Sequence, residues 1–494
     1  MCHPMRALWL LPLIASTALA DEAHDHGVPE QLGHVSFPIS CDASVQQPFD
    51  RAVALLHSFA YGPARQAFRQ VADADPHCAM AYWGMAMVDF HPVWSPPLPP
   101  DTLAQAQQNA GQAVERASGA SARERGFIQA AALLLQTKAG LSTAQRTVAY
   151  EQAMAQVARD NPHDVESQVF YALALLANAS PADKTHAKQK QAVALLEPLF
   201  RAHPDHPGLA HYLIHACDSE EMAQQGLQAA RVYAQIAPSA PHALHMPSHI
   251  FTRLGLWDDS IHSNLASKQA AHVQHDGMGE LHAMDYLVYA YLQEGKGDEA
   301  KRVVDEAGAM ASLDMSNFAV AYAASVMPIR LAVERGHWSD AANVKPLADA
   351  PPAVMAISVW SRGMGLARSG NPKEAREQAT RLRQIQAQLH ASGDEYWAVQ
   401  TAVLADEVAA WSSQASGQTT EAQALLRAAA DREDALEKRP VTPGPVLPAR
   451  EQLGYLLLQQ GNAAAARDAF QAALAQAPGR RLAMQGEALA QAKP

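Results

Sequence analysis

Two pairs of histidines give this sequence its clearest chemical signal. His211 and His215 are four residues apart, and His245 and His249 repeat that spacing 34 residues later. Residues four apart lie one turn apart on the same face of a helix, which is the spacing that helical metal sites use. Eleven of the 22 histidines fall within residues 203–282. This concentration indicates a site built mainly from imidazole groups.

Other polar residues continue the row at helical spacing. Imidazole together with one carboxylate suits zinc, iron, copper or nickel. We expect the four paired histidines to be metal ligands, with His282 or Asp285 completing the ligand set. The groove-lining and supporting residues are predicted to be His242, Asp218, Arg253, Tyr289 and His57. Asp218 and Asp285 are either ligands or partners that orient an imidazole ring, and Tyr289 or Arg253 would position a developing charge.

The histidines also have interpretations that need no metal. They are either hydrogen-bonded groove residues that hold a peptide, or core residues near Pro247, where proline distorts the helix. His57 either lines the same groove further along or is a partly buried histidine beside Phe59 and Tyr61.

The elements that position these residues are predicted to be helices throughout. Alanine, leucine and glutamine dominate the sequence, runs of β-branched residues are scarce, and apolar residues recur at helical spacing. Glycines and prolines separate stretches of ordinary helix length. A chain of 494 residues is long for one compact core, and a repeat architecture resolves that difficulty because each unit packs only on its neighbours.

One stretch near the C-terminus resembles the tetratricopeptide repeat family, whose period is 34 residues. Leucine, small, aromatic and proline residues occupy the family's positions at Leu453, Gly454, Ala466, Phe470, Ala473 and Pro478. Looser matches occur at Ala64, Phe68, Pro76, Trp83 and Gly84. The resemblance implies an all-α, TPR-like α-solenoid, a right-handed superhelix of helix-turn-helix repeats. It also implies that the two histidine pairs occupy equivalent positions of neighbouring repeats, on the concave face where members of the family bind ligands.

The chain divides into six predicted segments. They are a signal peptide (1–20), an extended or disordered N-terminal arm (21–46), N-terminal repeats (47–204), central histidine-rich repeats (205–310), further helical repeats (311–437), and a proline-rich loop with a C-terminal repeat and capping helix (438–494). A second proline-rich loop covers His91–Pro100. Such loops are either functional or rigid connectors.

The predicted signal peptide has a basic start, a short apolar run and an Ala18-Leu19-Ala20 cleavage site. We therefore expect cleavage after Ala20 and a periplasmic or secreted protein without a membrane span. A formal net charge of −12 argues against nucleic acid as the partner. One disulfide among Cys41, Cys78 and Cys217 is possible, although burial as small apolar residues is the favoured interpretation for Cys78 and Cys217.

Two classes of function remain. The favoured one is a scaffold that binds a protein or peptide in its concave groove, where a histidine-lined site lies. The alternative is a metalloprotein that holds zinc, iron or copper, as a metal-dependent oxidase or hydrolase or in metal handling. No P-loop, GxSxG, HExxH or GxGxxG motif with a suitable context is present, so no catalytic residue is assigned.

Overall fold

The computed structural model describes residues 30–91, 98–135, 140–311, 313–347 and 350–492. The predicted signal peptide, the first part of the N-terminal arm and the centre of the loop His91–Pro100 lie outside these residues. Residues Gln31–Pro494 form one compact unit.

The prediction of an all-α fold is confirmed, since the described residues contain α-helices and short 3₁₀ helices but no β-strand. Consecutive helices pack on each other as helix-turn-helix units, and each unit contacts the next. The helices of the first half are α1 (Gln46–His57), α2 (Tyr61–Ala74), α3 (Ala79–Met87), α4 (Pro100–Arg116), α5 (Ala122–Leu135), α6 (Thr143–Asp160), α7 (Val165–Ala177), α8 (Ala187–Ala202), α9 (Pro207–Cys217), α10 (Ala223–Ile236), α11 (Pro241–His245) and α12 (Pro247–Arg253).

The second half continues the same pattern. Its helices are α13 (Trp257–Val273), α14 (Gly277–Gln293), α15 (Gly297–Ala309), α16 (Phe318–Glu334), α17 (Trp338–Ala342), α18 (Pro352–Arg368), α19 (Pro372–Ala391), α20 (Glu395–Ala415), α21 (Thr419–Asp434), α22 (Ala449–Gln459), α23 (Ala463–Gln476) and α24 (Arg481–Gln491). The fold is a TPR-like α-solenoid. One irregularity is α17, where the second helix of a repeat is reduced to five residues.

The C-terminal repeat shows why its sequence pattern was informative. A Cβ atom at Gly454 on α22 would lie only 2.7 Å from the Phe470 ring of α23. Only glycine lets these two helices approach so closely around the aromatic ring. Gly461 has a φ of +81° in the turn between the helices, a conformation that glycine adopts without strain.

The described part of the N-terminal arm is extended and packed. Phe37 is fully buried, and its ring lies 5.1 Å from that of Phe127 and 5.6 Å from that of Trp83. Cys41 is joined to Cys78 by a disulfide, with Cα atoms 5.0 Å apart. The interpretation of Cys78 as a free apolar residue is therefore wrong, because the arm returns to the start of α3.

The C-terminal end packs back on the middle of the solenoid. The indole of Trp257 donates a hydrogen bond to the carbonyl of Gly479 at 3.1 Å. The buried guanidinium of Arg480 pairs with Glu334 at 2.5 Å and with Glu451 at 2.7 Å. The contacts with Trp257 and Glu334 link the last repeat to helices more than 140 residues earlier in the chain.

Buried apolar residues form three clusters along the unit, one reaching from the arm to α12, one spanning α13 to α16, and one spanning α16 to α24. Stability therefore comes from a row of local cores, as in other repeat proteins. None of the helices described here has the length and apolar character that a bilayer crossing requires.

Candidate functional site

Six histidines come together from α9, α11, α12 and α14, which we call the inner helices. His211 and His215 lie on α9, the helices α11 and α12 supply three more, and α14 supplies His282. The break between α11 and α12 falls at Met246, directly before Pro247, as proline requires. Met246 N bonds to the carbonyl of His242 at 2.9 Å and His249 N bonds to the carbonyl of Met246 at 3.1 Å, so backbone hydrogen bonds reach Met246 from both helices.

The six side chains form two groups of three. The first group consists of His211, His215 and His242, and the second of His245, His249 and His282. Within each group, one ring nitrogen of each histidine lies within 4.8 Å of the others. The structure thus brings together every histidine that the sequence placed in this row.

The two groups adjoin each other. The ring centroids of His215 and His249 are 6.1 Å apart, and those of His242 and His245 are 6.0 Å apart. Five of the six histidines are buried, and His242 is partly exposed. Any ion held here would therefore be largely shielded from bulk water.

Three of the histidines are held through their Nδ1 atoms by oxygen acceptors. His211 Nδ1 lies 2.5 Å from the carbonyl of His57, and His245 Nδ1 lies 2.6 Å from Asn264 Oδ1. His249 Nδ1 lies 2.9 Å from Asp218 Oδ2. In each case Nδ1–H donates, so the Nε2 atom of the neutral ring carries a lone pair.

The orientation of Asn264 is fixed by a second hydrogen bond. Its Nδ2 atom donates to the carbonyl of Ser260 at 2.7 Å, which leaves Oδ1 as the acceptor for His245. Since Asp218 is likewise an acceptor, the tautomers of His245 and His249 are both set by their surroundings.

The consequence is an unfavourable contact between two acceptors. Nε2 of His245 lies 3.0 Å from Nε2 of His249, with both lone pairs assigned by their Nδ1 partners. Two nitrogens bound to one tetrahedral ion at about 2.0–2.1 Å would be about 3.3–3.4 Å apart. The observed distance is therefore close to the one expected for two nitrogens that share a cation. Without a proton or an ion between them, the lone pairs of the two Nε2 atoms repel each other.

Protons are disfavoured at this site. Burial lowers the pKa of all six histidines below the ordinary value of 6.5, and neighbouring imidazoles lower the pKa of most of them further. Neutral imidazole is the form that binds metal ions.

Asp218 connects the second histidine group to two cations. Its Oδ1 accepts from Arg253 Nε at 2.9 Å, and its Oδ2 lies 3.0 Å from Lys438 Nζ. Burial would raise the pKa of Asp218, but Lys438, Arg253 and the hydrogen bond from His249 hold it well below the usual range. Asp218 therefore stays ionised and orients the His249 ring.

The proline-rich segment 438–448, which we call the strap, contacts α14 and α16 beside the histidines. The hydroxyl of Tyr286 lies 3.2 Å from the carbonyl oxygen of Pro440, and its ring centroid is 4.7 Å from that of His245. Arg330 donates to the carbonyl of Pro445 at 3.0 Å. The segment is thus fixed beside the second histidine group, largely through its backbone carbonyls.

Two residues of the predicted row lie elsewhere. Asp285 belongs to neither histidine group among the described residues, and its carboxylate lies 3.4 Å from Arg330 Nε. Burial raises the pKa of Asp285 to about 6, although Arg330 opposes that effect. The hydroxyl of Tyr289 accepts from Arg480 at 3.4 Å, so it belongs to the contact with the C-terminal repeat.

His57 belongs to a separate buried network. Its Nε2 lies 2.9 Å from Glu166 and its Nδ1 lies 2.9 Å from the hydroxyl of Tyr212. His206 Nε2 also bonds to Glu166 at 2.9 Å, and its Nδ1 accepts from Leu209 N. Every ring nitrogen of the two histidines is used, so this cluster has the character of a structural hydrogen-bond network and offers no lone pair to an ion.

A small cavity of about 40 Å³ reaches the histidines from outside. It is lined by His242, His245 and His282 together with Phe59 and Met278, and Met278 is 40% exposed. A cavity of this size holds a few water molecules, since one water needs about 10–15 Å³ of such space. Ions and very small molecules fit this opening, whereas a polymer does not.

Sequence reasoning missed the supporting residues Asn264, Tyr286, Lys438 and Glu166. Asn264 lies on the second helix of its repeat, where no histidine spacing points to it. Lys438 meets Asp218 across 220 residues of chain. Only the proline-rich composition around Lys438 offered a signal, and it did not indicate where the segment binds.

Comparison with protein-family models gives no match, and comparison with curated proteins gives none either. Among solved structures, yeast Tom70 is 11% identical over 90% of this chain and 87% of its own, with a TM-score of 0.38. The P58(IPK) TPR domain is 14% identical over 85% and 99%, with a TM-score of 0.23. The human IFIT1 dimer with PPP-AAAA is 15% identical over 86% and 88%, with a TM-score of 0.34. At these scores none of the partners in those structures is carried over to this chain.

Proposed function

We propose that this protein binds transition-metal ions at its two adjacent histidine groups. The observation that carries the proposal is the 3.0 Å contact between the Nε2 atoms of His245 and His249, whose Nδ1 atoms both donate to oxygen acceptors. A buried pair of lone pairs at this distance is costly unless a cation lies between them. A peptide ligand or a packed core would not require the two rings to face each other in this way.

The donor set favours zinc or copper over iron. Each group offers three imidazoles and, among the described residues, no carboxylate. Non-haem iron commonly takes two histidines with one carboxylate, whereas imidazole alone suits zinc and copper. Three protein ligands also leave a coordination position for water or a small substrate.

The size of the opening bears on the type of activity. A cavity of about 40 Å³ supports metal handling or chemistry on a very small molecule, and it disfavours hydrolysis of a large substrate. Ring-orienting acceptors such as Asp218 and Asn264 are the partners expected around metal-binding histidines.

The test is elemental analysis of protein purified after supplementation with zinc, copper or iron. We expect about two equivalents of one metal, because each of the two groups has enough donors for one ion. The double variant His245→Ala with His249→Ala should lose the second equivalent. In a matched control variant, His272 and His390 are changed to alanine, since their side chains are 71% and 72% exposed. This variant should keep both equivalents of metal. Only a trace of metal under every supplementation would refute the proposal.

A second candidate is a scaffold that binds a protein or peptide in its concave groove. The strap favours it, because a proline-containing segment without regular secondary structure already contacts α14 and α16 through its backbone carbonyls. An external peptide would have to displace the strap or bind elsewhere on the solenoid. A protein partner that binds metal-free wild type and not the His245→Ala, His249→Ala variant would support the scaffold. Steady-state turnover assays on metal-loaded protein would separate an enzyme from a metal carrier.

We also propose that the protein is exported. The disulfide between Cys41 and Cys78 supports this, since such bonds persist mainly in oxidising compartments. N-terminal sequencing of the mature protein should begin at Asp21, and retention of Met1 in the cell interior would contradict the proposal.

A further inference from the structure

A second, larger cavity lies away from the histidines. Its volume is about 660 Å³, and it is bounded by the ends of α14, α16 and α18 and by α20 and α22. Apolar side chains such as Leu292, Val333 and Leu447 line part of its wall. This volume is within the range of small-molecule sites in proteins, about 300–1,000 Å³.

The charged residues that line this cavity are paired, with one exception. Lys296 pairs with Asp258 at 3.3 Å, Arg335 with Asp298 at 3.9 Å, and Glu299 with Arg302 at 3.3 Å. The remaining pair within the lining is Glu334 with Arg481, at 3.9 Å, and Glu334 also pairs with Arg480.

Arg368 is the exception. Among the described residues, no carboxylate or carbonyl accepts a hydrogen bond from its guanidinium. The guanidinium carbon lies 4.1 Å from the ring centroid of Trp411 and 4.8 Å from that of Trp338. Burial lowers the pKa of Arg368, and no acidic neighbour opposes that effect.

The two indoles hold the guanidinium in place. Trp411 is itself fixed, because its Nε1 donates to Gln452 Oε1 at 2.9 Å. Cation–π contacts and the position of Arg368 in the last turn of α18 both favour its positive charge. Neither uses its N–H donors, which lie in the plane of the guanidinium and remain able to bind an anion.

We propose that this cavity binds a small organic anion, a carboxylate carried on an apolar or aromatic body. The carboxylate would accept two hydrogen bonds from Arg368, as planar guanidinium–carboxylate pairs do. The apolar body would lie against Trp338, Trp411 and the aliphatic wall. A carboxylate suits the site better than phosphate, because the acidic residues Asp298 and Glu299 in the same lining disfavour a multiply charged ligand.

The experiment is isothermal titration of the folded full-length protein with three probes. They are phenylacetate, its neutral isostere phenylacetamide, and inorganic phosphate. We expect phenylacetate to bind with a dissociation constant of about 1 mM or tighter, and the other two to bind at least about tenfold more weakly. Arg368→Met should weaken phenylacetate binding by at least about tenfold, while Arg368→Lys, which keeps the charge, should weaken it less.

The matched control is Arg362→Met, because Arg362 lies on the same helix with an exposed side chain. It should bind phenylacetate as wild type does. Circular dichroism and thermal melting identify any variant that has not folded, and Trp338→Leu provides a second test of the same pocket. Equal binding of phenylacetate and phenylacetamide, an unchanged affinity in Arg368→Met, tighter binding of phosphate, or no binding of phenylacetate by wild type would each overturn the proposal.

Discussion

Replacing His215 by leucine separates the stability of the fold from metal binding. His215 is only 8% exposed, and neither of its ring nitrogens has a hydrogen-bond partner among the described residues. A buried polar group without a partner costs about 1–3 kcal/mol. Leucine fills the site without that cost, so the metal-free variant should be more stable than metal-free wild type by about 1–3 kcal/mol. Urea denaturation in the presence of a chelator measures the difference. Metal content should fall at the same time, because the first histidine group loses one of its three ligands.

The control for this prediction is His57→Leu, which removes a buried histidine whose nitrogens both have partners. It breaks the contacts with Glu166 and Tyr212 and leaves a buried carboxylate with one hydrogen bond fewer. We expect a loss of about 3–5 kcal/mol in unfolding free energy. If His215→Leu destabilises the metal-free protein as well and keeps the full metal content, then the reasoning about unpaired nitrogens is refuted.

Three further predictions concern the same region. Asn264→Leu removes the acceptor that sets the tautomer of His245, so it should weaken metal affinity by about 10–100-fold in a chelator competition. An unchanged affinity would contradict this role of Asn264. Metal-free protein should lose stability as pH falls below 6.5, because the unfolded histidines take up protons while the folded ones, with lowered pKa, stay neutral. Buried carboxyls of α21 and α22, whose pKa is raised to about 7, act in the opposite sense. The measurement is therefore the slope of unfolding free energy against pH, compared between wild type and His215→Leu. The slope of the variant should be smaller by about 1.4 kcal/mol per pH unit, and equal slopes would count against this account. Gly208→Ala would place a methyl group 2.7 Å from His57 Nδ1 and should lower the unfolding free energy by about 1–3 kcal/mol, whereas a wild-type urea midpoint would show that the ring moves freely.

The repeat architecture was predictable because its determinants are local. The spacing of Gly454, Phe470 and Pro478 located α22 and α23, since these residues pack within one repeat. The meeting of the histidines followed from repetition, because equivalent positions on adjacent inner helices must be neighbours.

The supporting contacts could not be predicted because they join distant parts of the chain. Asp285 has the right helical spacing for the row, but the buried charge of Arg330 lies against it. His242 was expected to support the site, and the structure puts its Nε2 only 3.2 Å from that of His211. Lys438 lies in a segment without periodicity, so no pattern relates it to Asp218.

The strap sets an order of events for a chain made from its N-terminus. All six histidines are in place by residue 282, and the strap begins more than 150 residues later. On the proposed function, an ion can bind the histidines of the growing chain before Lys438 reaches Asp218, the acceptor that orients His249. The small cavity beside His242, His245 and His282 remains a path for ions in the finished protein, so the strap governs how firmly His249 is oriented and not whether metal reaches the site.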